Sequence, residues 1–266
     1  CRPRAAIFHG FIGSPEQARR AVLKGYYLSF GLRAFAGNFD EEALTQAVEK
    51  MHGAGKKFYL TMNIFPFDDQ LDDFIAAAKA ARDIGVDAAI VSDLGAIAAL
   101  RREVPELPLH VSTQASTVNA EAVRVYRDMG CERVILARET PLADIQKIAA
   151  EIETEVFVQG ALCTCFSGQC YMSSFAGGNS GNRGLCKQPC RKKYSVDRKG
   201  SKEYSYALSL SDLCIGKDIL RLIEAGVVSF KIEGRMRSAA YVGAAVRYYK
   251  DILGNAGGQA KVAYDK

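Results

Sequence analysis

Residues 107–139 read "LPLHVSTQASTVNAEAVRVYRDMGCERVILARE". An apolar run, Leu107–Val111, gives way to hydroxyl and amide residues and then to a stretch with apolar residues at helical spacing. Gly130 closes that stretch, and a second apolar run ends in Arg138 and Glu139. The hydrophobic period changes from that of a strand to that of a helix and back. A glycine placed just past a helix suits the left-handed conformation of the closing residue. The stretch therefore predicts strand, helix, strand, with polar groups at the far end of each strand.

The same alternation extends in both directions. Strand-like runs fall at 5–10, 25–30, 56–65, 87–93, 107–114, 133–139, 155–162, 206–212 and 228–235. Helical spacing fills 40–55, 70–85, 119–130 and 141–152, and Gly55, Gly85, Gly130 and Gly226 stand where helices should end. Repeats of roughly 25–30 residues match a βα unit. Eight or nine of them in 266 residues predict an α/β fold, a (β/α)8 TIM-type barrel forming a single domain over 1–266. No glycine-rich dinucleotide turn follows the first run, which argues against an open doubly wound sheet.

In such a barrel the C-terminal strand ends converge on one face, where an active site sits. Polar residues follow nearly every run: Thr61 and Asn63, Ser92 and Asp93, His110 with Ser112, Thr113 and Gln114, Arg138 and Glu139, Gln159, then Lys231, Glu233 and Arg235. Singly, each is as readily a helix cap or a loop start. As a set they predict a polar mouth, with Gln114, Arg138, Glu139, Glu233 and Arg235 its leading members because buried charges need partners or an anionic ligand.

The segment "GALCTCFSGQCYMSSFAGGNSGNRGLCKQPCRKKY", 160–194, holds five of the eight cysteines. It interrupts the repeat, and 161–205 read as a cysteine-rich, basic insertion on the C-terminal face. Residues 183–202 carry eight Lys or Arg, opposed nearby by Asp197 and Glu203. That imbalance is a footprint for an anionic partner or a solvated face. No run approaches the ~18 apolar residues of a membrane span. With no secretory pattern at the start, a reducing, cytoplasmic setting is expected, in which clustered thiols bind metal or do chemistry rather than pair as disulfides. Six, fifteen and three residues separate Cys163, Cys170, Cys186 and Cys190. Iron–sulfur clusters take thiolates from irregular glycine-rich loops. Structural zinc usually shows two tight knuckles, and only Cys186–Cys190 comes near one.

The motifs "EVFVQGALCTCFSGQCYMSS", "SGNRGLCKQPCRKKY", "SLSDLC" and "FKIEGRMRSAAYVGAAVRYY" resemble the U32 peptidase family, also called collagenase-like. "LRAFAGNFDEEAL", "YLTMNIF", "AAIVSDLGAI" and "LHVSTQASTVNAEAV" extend the likeness over nearly the whole chain. The resemblance, closest to the RNA-directed branch of the family, implies an iron–sulfur protein for oxygen-independent, prephenate-dependent 5-hydroxylation of a pyrimidine in tRNA or 23S rRNA. It implies a 4Fe-4S cluster on Cys163, Cys170, Cys186 and Cys214, with Cys190 the alternative fourth ligand. Cys165, Cys1 and Cys131 then read as incidental.

Under that resemblance the mouth is expected to hold a small dicarboxylate such as prephenate. Arg138 and Arg235 would grip its carboxylates, Gln114 and Asn63 orient it, and Glu139 and Glu233 hold the arginines or move protons. The competing view is that Arg138–Glu139 and Glu233–Arg235 are ion pairs bracing the rim. Arg191, Lys192 and Lys193 are expected to contact RNA phosphates. Two other functions are implied by the family. One is a peptidase, for which the chain offers only His9, His52 and His110 as bases and no HExxH motif. The other is a hydroxylation partner in quinone biosynthesis.

Overall fold

The computed structural model describes residues 6–9, 27–31, 40–198, 201–234 and 237–255. Its strands are β1 (Ala6–His9), β2 (Tyr27–Gly31), β3 (Tyr59–Thr61), β4 (Ala88–Val91), β5 (Leu109–Val111), β6 (Arg133–Ile135), β7 (Glu153–Gly160), β8 (Tyr194–Arg198), β9 (Ser201–Ser205), β10 (Leu213–Cys214) and β11 (Ser229–Glu233). β1 to β7 pair in sequence order, all parallel. β11 then pairs in parallel with both β7 and β1, so the pairings run round and meet. The α/β alternation read from the sequence is thus present as a curled parallel sheet.

Helices follow most strands: α1 (Glu41–Gly53), α2 (Asp68–Ile84), α3 (Leu94–Glu103), α4 (Ala120–Asp128) and α5 (Leu142–Ala149). Later come α6 (Met172–Gly177), α7 (Ile219–Glu224) and α8 (Ala239–Asn255). Their starts have a local cause. Asp40, Asp93 and Asn119 accept hydrogen bonds from the backbone N–H groups of Ala43, Ala96 and Ala122, which have no partner inside the helix. Asp93, expected at the mouth, is therefore a cap.

Strand alternation divides the apolar residues between two cores. On β4, Ala89 and Val91 join the large layer between sheet and helices, while Ala88 and Ile90 face inward with Tyr59, Ile135 and Phe157.

Two expectations change. The run 206–212 is not a strand, although it is apolar at alternate positions, and the eighth parallel strand is β11. The segment after β7, expected to lack regular structure, contains α6 and the antiparallel pair β8–β9. β10 pairs antiparallel with the last residues of β7, Leu213 opposite Gly160 and Cys214 opposite Gln159.

Candidate functional site

The interior of the strand ring is polar at its lower level. Lys231 on β11 and Glu155 on β7 are both almost fully buried and form an ion pair at 3.0 Å. The Ser229 hydroxyl donates to the same carboxylate at 2.8 Å, and the Arg133 guanidinium lies 3.7 Å from it. Burial works to raise the Glu155 pKa, but the charges of Lys231 and Arg133, with the hydrogen bonds from Lys231 and Ser229, leave it lowered. His110 packs edge-on against Tyr59, 4.9 Å between ring centres. Burial first, then the positive charge of Arg133, pushes its pKa down to about 3, so the ring is neutral.

Phe157 is the floor above this layer. The Lys231 ammonium lies 5.6 Å from its ring centre and the Arg138 guanidinium 4.0 Å. Arg138 donates to Glu233 at 3.3 Å, both side chains being about 12% exposed. The Arg138–Glu139 ion pair of the competing view is absent. Glu139 instead accepts from the backbone N–H of Ser167 at 3.0 Å and from its hydroxyl at 3.4 Å. The Ser167 hydroxyl also accepts from the Arg138 backbone N–H at 3.1 Å. Ser167 thus ties the cysteine segment to the end of β6. Arg235 lies outside the described residues.

Asn63 donates to the Ser112 hydroxyl at 2.9 Å, and that hydroxyl also accepts from the Gln114 backbone N–H at 3.2 Å. The Gln114 side-chain oxygen is buried without a partner among the described residues. Gln159 turns away from the mouth: it donates to the Tyr241 hydroxyl at 3.1 Å and accepts from that of Tyr249 at 3.3 Å.

Two glycines let the segment lie this close. Gly160 has φ +118, and a Cβ there would meet Glu233 at 2.6 Å. Gly168 has φ +78, and a Cβ there would meet the Gln114 carbonyl oxygen at 2.1 Å. Only glycine combines those dihedrals with that contact. Further on, Asn182 donates to the Gly168 carbonyl at 2.9 Å, and Arg183 reaches the Phe65 carbonyl at 3.0 Å and Gln70 at 2.8 Å. The lobe rests on the ends of β3, β5 and β6.

The lobe's thiols lie within one another's electrostatic fields. Burial raises the Cys163 pKa, opposed by Arg138 and reinforced by Cys190, Glu233 and Cys170. Cys165 is raised chiefly by a side-chain hydrogen bond with Cys170. Cys190 is raised by burial and lies within the fields of Cys186 and Cys170. The Gln188 N–H donates to the Cys186 sulfur at 3.3 Å.

Cys214 is elsewhere. Leu213 beside it packs into the inner core, so strand alternation turns Cys214 outward, where the Tyr249 hydroxyl approaches its sulfur at 3.9 Å. Cys163, Cys165, Cys170, Cys186 and Cys190 thus share the lobe, whereas Cys214, the first choice from sequence for a fourth cluster ligand with Cys190 as its alternative, stands on β10. This donor set has the chemistry of thiolate metal ligands. Among the described residues no three His, Cys, Asp or Glu side chains converge on one point.

The basic run is also divided. Arg191 donates to the Leu210 carbonyl and Ser209 hydroxyl at 2.6 Å and to the Leu162 carbonyl at 2.7 Å, so its guanidinium holds the lobe together. Lys192 and Lys193 are exposed, the Lys193 ammonium lying 5.5 Å from the Tyr206 ring centre. Sequence reasoning missed Ser167, Phe157, Glu155 and Arg133, and expected Lys231 at the mouth rather than in the buried layer with Glu155. Charges recurring at alternate positions inside an apolar run, Lys231 and Glu233 in "SFKIE", were the available signal.

Comparison with known proteins follows this geometry. The model of "Peptidase family U32" matches residues 15–264. The tRNA hydroxylation protein P1 of Bacillus subtilis (strain 168) is 37% identical over 235 residues, which cover 84% of this chain and 56% of that protein. The 23S rRNA 5-hydroxycytidine C2501 synthase of Escherichia coli (strain K12) is 35% identical over 259 residues, 94% of this chain and 37% of that protein. This chain spans about half the length of such relatives. The solved structure of a U32 peptidase superposes with a TM-score of 0.53 at 12% identity, over 88% of this chain and 93% of that one, a likeness of fold. By the extent of the family match and the identity to these relatives, the chain belongs to peptidase family U32.

Proposed function

We propose that this protein takes part in oxygen-independent 5-hydroxylation of an RNA pyrimidine in the cytoplasm, with a 4Fe-4S cluster and with prephenate as co-substrate. One observation carries the reading: a lobe of clustered thiols is clamped by Ser167 onto a mouth floored by Phe157 and Arg138, and Cys163 lies within the field of the Arg138–Glu233 pair. The names of the tRNA- and rRNA-modifying relatives support RNA as the substrate class.

Cys163, Cys170, Cys186 and Cys190 would hold the cluster, which when bound supplies one-electron chemistry. Arg138 is the cation of the mouth. It contacts Glu233 through one amino group at 3.3 Å rather than through a two-pronged fork, so a ligand carboxylate can compete for the N–H donors along its edge. Phe157 beneath holds the guanidinium flat. Gln114 presents a buried acceptor that costs about 1–3 kcal/mol while unpaired, and a ligand N–H or O–H would offset that cost. Glu233 and Glu139 hold Arg138 and Ser167 in register and are the carboxylates nearest the mouth for proton transfer.

A thiol peptidase needs an imidazole beside its cysteine. Among the described residues His52 bonds to Asp87 and His110 packs against Tyr59, and neither meets a thiol.

The test is mass spectrometry of tRNA and rRNA nucleosides from cells with and without the gene, complemented by wild type or by Arg138→Ala. A hydroxylated pyrimidine should disappear on deletion, return with wild type, and stay absent with Arg138→Ala although the protein accumulates. Unchanged nucleosides on deletion would reject the reading.

A further inference from the structure

The lobe's outer surface has an unusual make-up. From 161 to 194 it contains Arg183, Lys187, Arg191, Lys192 and Lys193 and no Asp or Glu. Large rings stand out from it: Phe175 is 90% exposed, Phe166 68% and Tyr171 53%. A single exposed ring is ordinary, but three on one short lobe beside a mouth give a surface that a partner can use.

Their mounting is firm. Phe166 precedes Ser167, whose hydroxyl and N–H are tied to Arg138 and Glu139, so its backbone is anchored at the rim of the mouth. Tyr171 and Phe175 lie one helical turn apart at the start of α6, the Phe175 N–H donating to the Tyr171 carbonyl at 3.0 Å, which puts them on one face. The Lys187 N–H donates to the Ser173 hydroxyl at 3.0 Å, and α6 packs on Pro189–Arg191, so the exposed lysines flank the same helix. Between the rings the chain carries Ser167, Gly168, Gln169 and Cys170, then Met172, Ser173 and Ser174. Flat faces among cations match unpaired nucleotides: each base offers a stacking face and each phosphate a negative charge.

We propose that Phe166, Tyr171 and Phe175, flanked by Lys187, Lys192 and Lys193, form a stacking platform for the unpaired nucleotides of an RNA loop beside the base that enters the mouth. The inference rests on the RNA reading above and adds to it that the RNA must be single-stranded at the site. Duplex RNA, whose bases are already stacked, gains nothing from the rings.

The test is fluorescence anisotropy of the full chain with an unstructured RNA oligonucleotide and with a duplex of the same composition, over a salt series. Phe175→Ala and Tyr171→Ala should each weaken single-strand binding by about 5- to 100-fold while barely moving duplex binding. Phe175→Leu, which keeps bulk but loses the ring, should resemble Phe175→Ala. Replacing Lys187, Lys192 and Lys193 with Ala should lower the log–log salt slope by roughly 2. Unchanged affinity in the ring variants would overturn the platform even if nucleoside analysis upheld RNA modification. Full binding by Phe175→Leu would overturn stacking as the contact. Sedimentation showing that Phe175→Ala dissociates paired copies, with RNA affinity intact, would assign the surface to self-association instead. No binding of any RNA by the wild type would also overturn it, independently of the nucleoside result.

Discussion

His110 lies inside the strand ring, its Nδ1 without a partner among the described residues and its ring edge-on to Tyr59. Burial and the charge of Arg133 hold its pKa down at about 3. An unfolded histidine titrates near ~6.5. As pH falls below that value the unfolded chain takes up a proton that the folded one refuses, so stability is lost between the two values and is complete above the upper one. At pH 5 the loss from this residue is about 2 kcal/mol. Glu155, whose folded pKa is lowered, acts in the same direction at lower pH, because its stabilisation disappears once its carboxylate is protonated. Urea unfolding at pH 7 and pH 5 should therefore show a smaller pH dependence in His110→Phe than in wild type. Equal dependence would place the proton uptake elsewhere.

At the level of elements, the lobe and the barrel mouth meet through a contact that tolerates no side chain at Gly168. Alanine there would carry the left-handed penalty of about 1–2 kcal/mol and would also collide with the Gln114 carbonyl, a backbone atom that cannot rotate away. Gly178 shares the dihedral, φ +69, but has nothing within 4 Å of its would-be Cβ. Gly168→Ala should raise the rates of thiol labelling and of proteolytic cutting within 161–198 several-fold more than Gly178→Ala, while the far-ultraviolet spectrum of the barrel stays the same. Equal rates in the two variants would mean that the lobe does not depend on this contact.

Across the whole molecule, topology divides the thiols between the lobe and β10. β10 returns to pair with the end of β7, and its alternation sends Leu213 inward and Cys214 toward Tyr249. Cys190 stays within the lobe, in the fields of Cys186 and Cys170, and we propose it as the fourth ligand. After anaerobic reconstitution, Cys190→Ser should lose most bound iron and sulfide, and Cys214→Ser should keep wild-type amounts. The reverse result would restore Cys214 as the fourth ligand.

What the sequence by itself determined was local and periodic. Alternating hydrophobicity marked the strands, capping residues and closing glycines marked the helices, and the Gly-rich run from Cys163 to Cys190 marked the lobe. The motifs sufficed to identify the family, because thiol spacing is a property of the chain alone. The tertiary structure decided everything that depends on which face meets which. It paired Arg138 with Glu233, 95 residues away, instead of with the adjacent Glu139. It turned Gln159 and Cys214 away from the mouth, moved Asp93 to a helix cap, and committed Arg191 to carbonyls of its own lobe. Neighbours along a strand point to opposite faces, whereas residues far apart in the chain share a level of the barrel only once the parallel strands take up their register. The partners of a buried charge are set by that register, which no local pattern encodes.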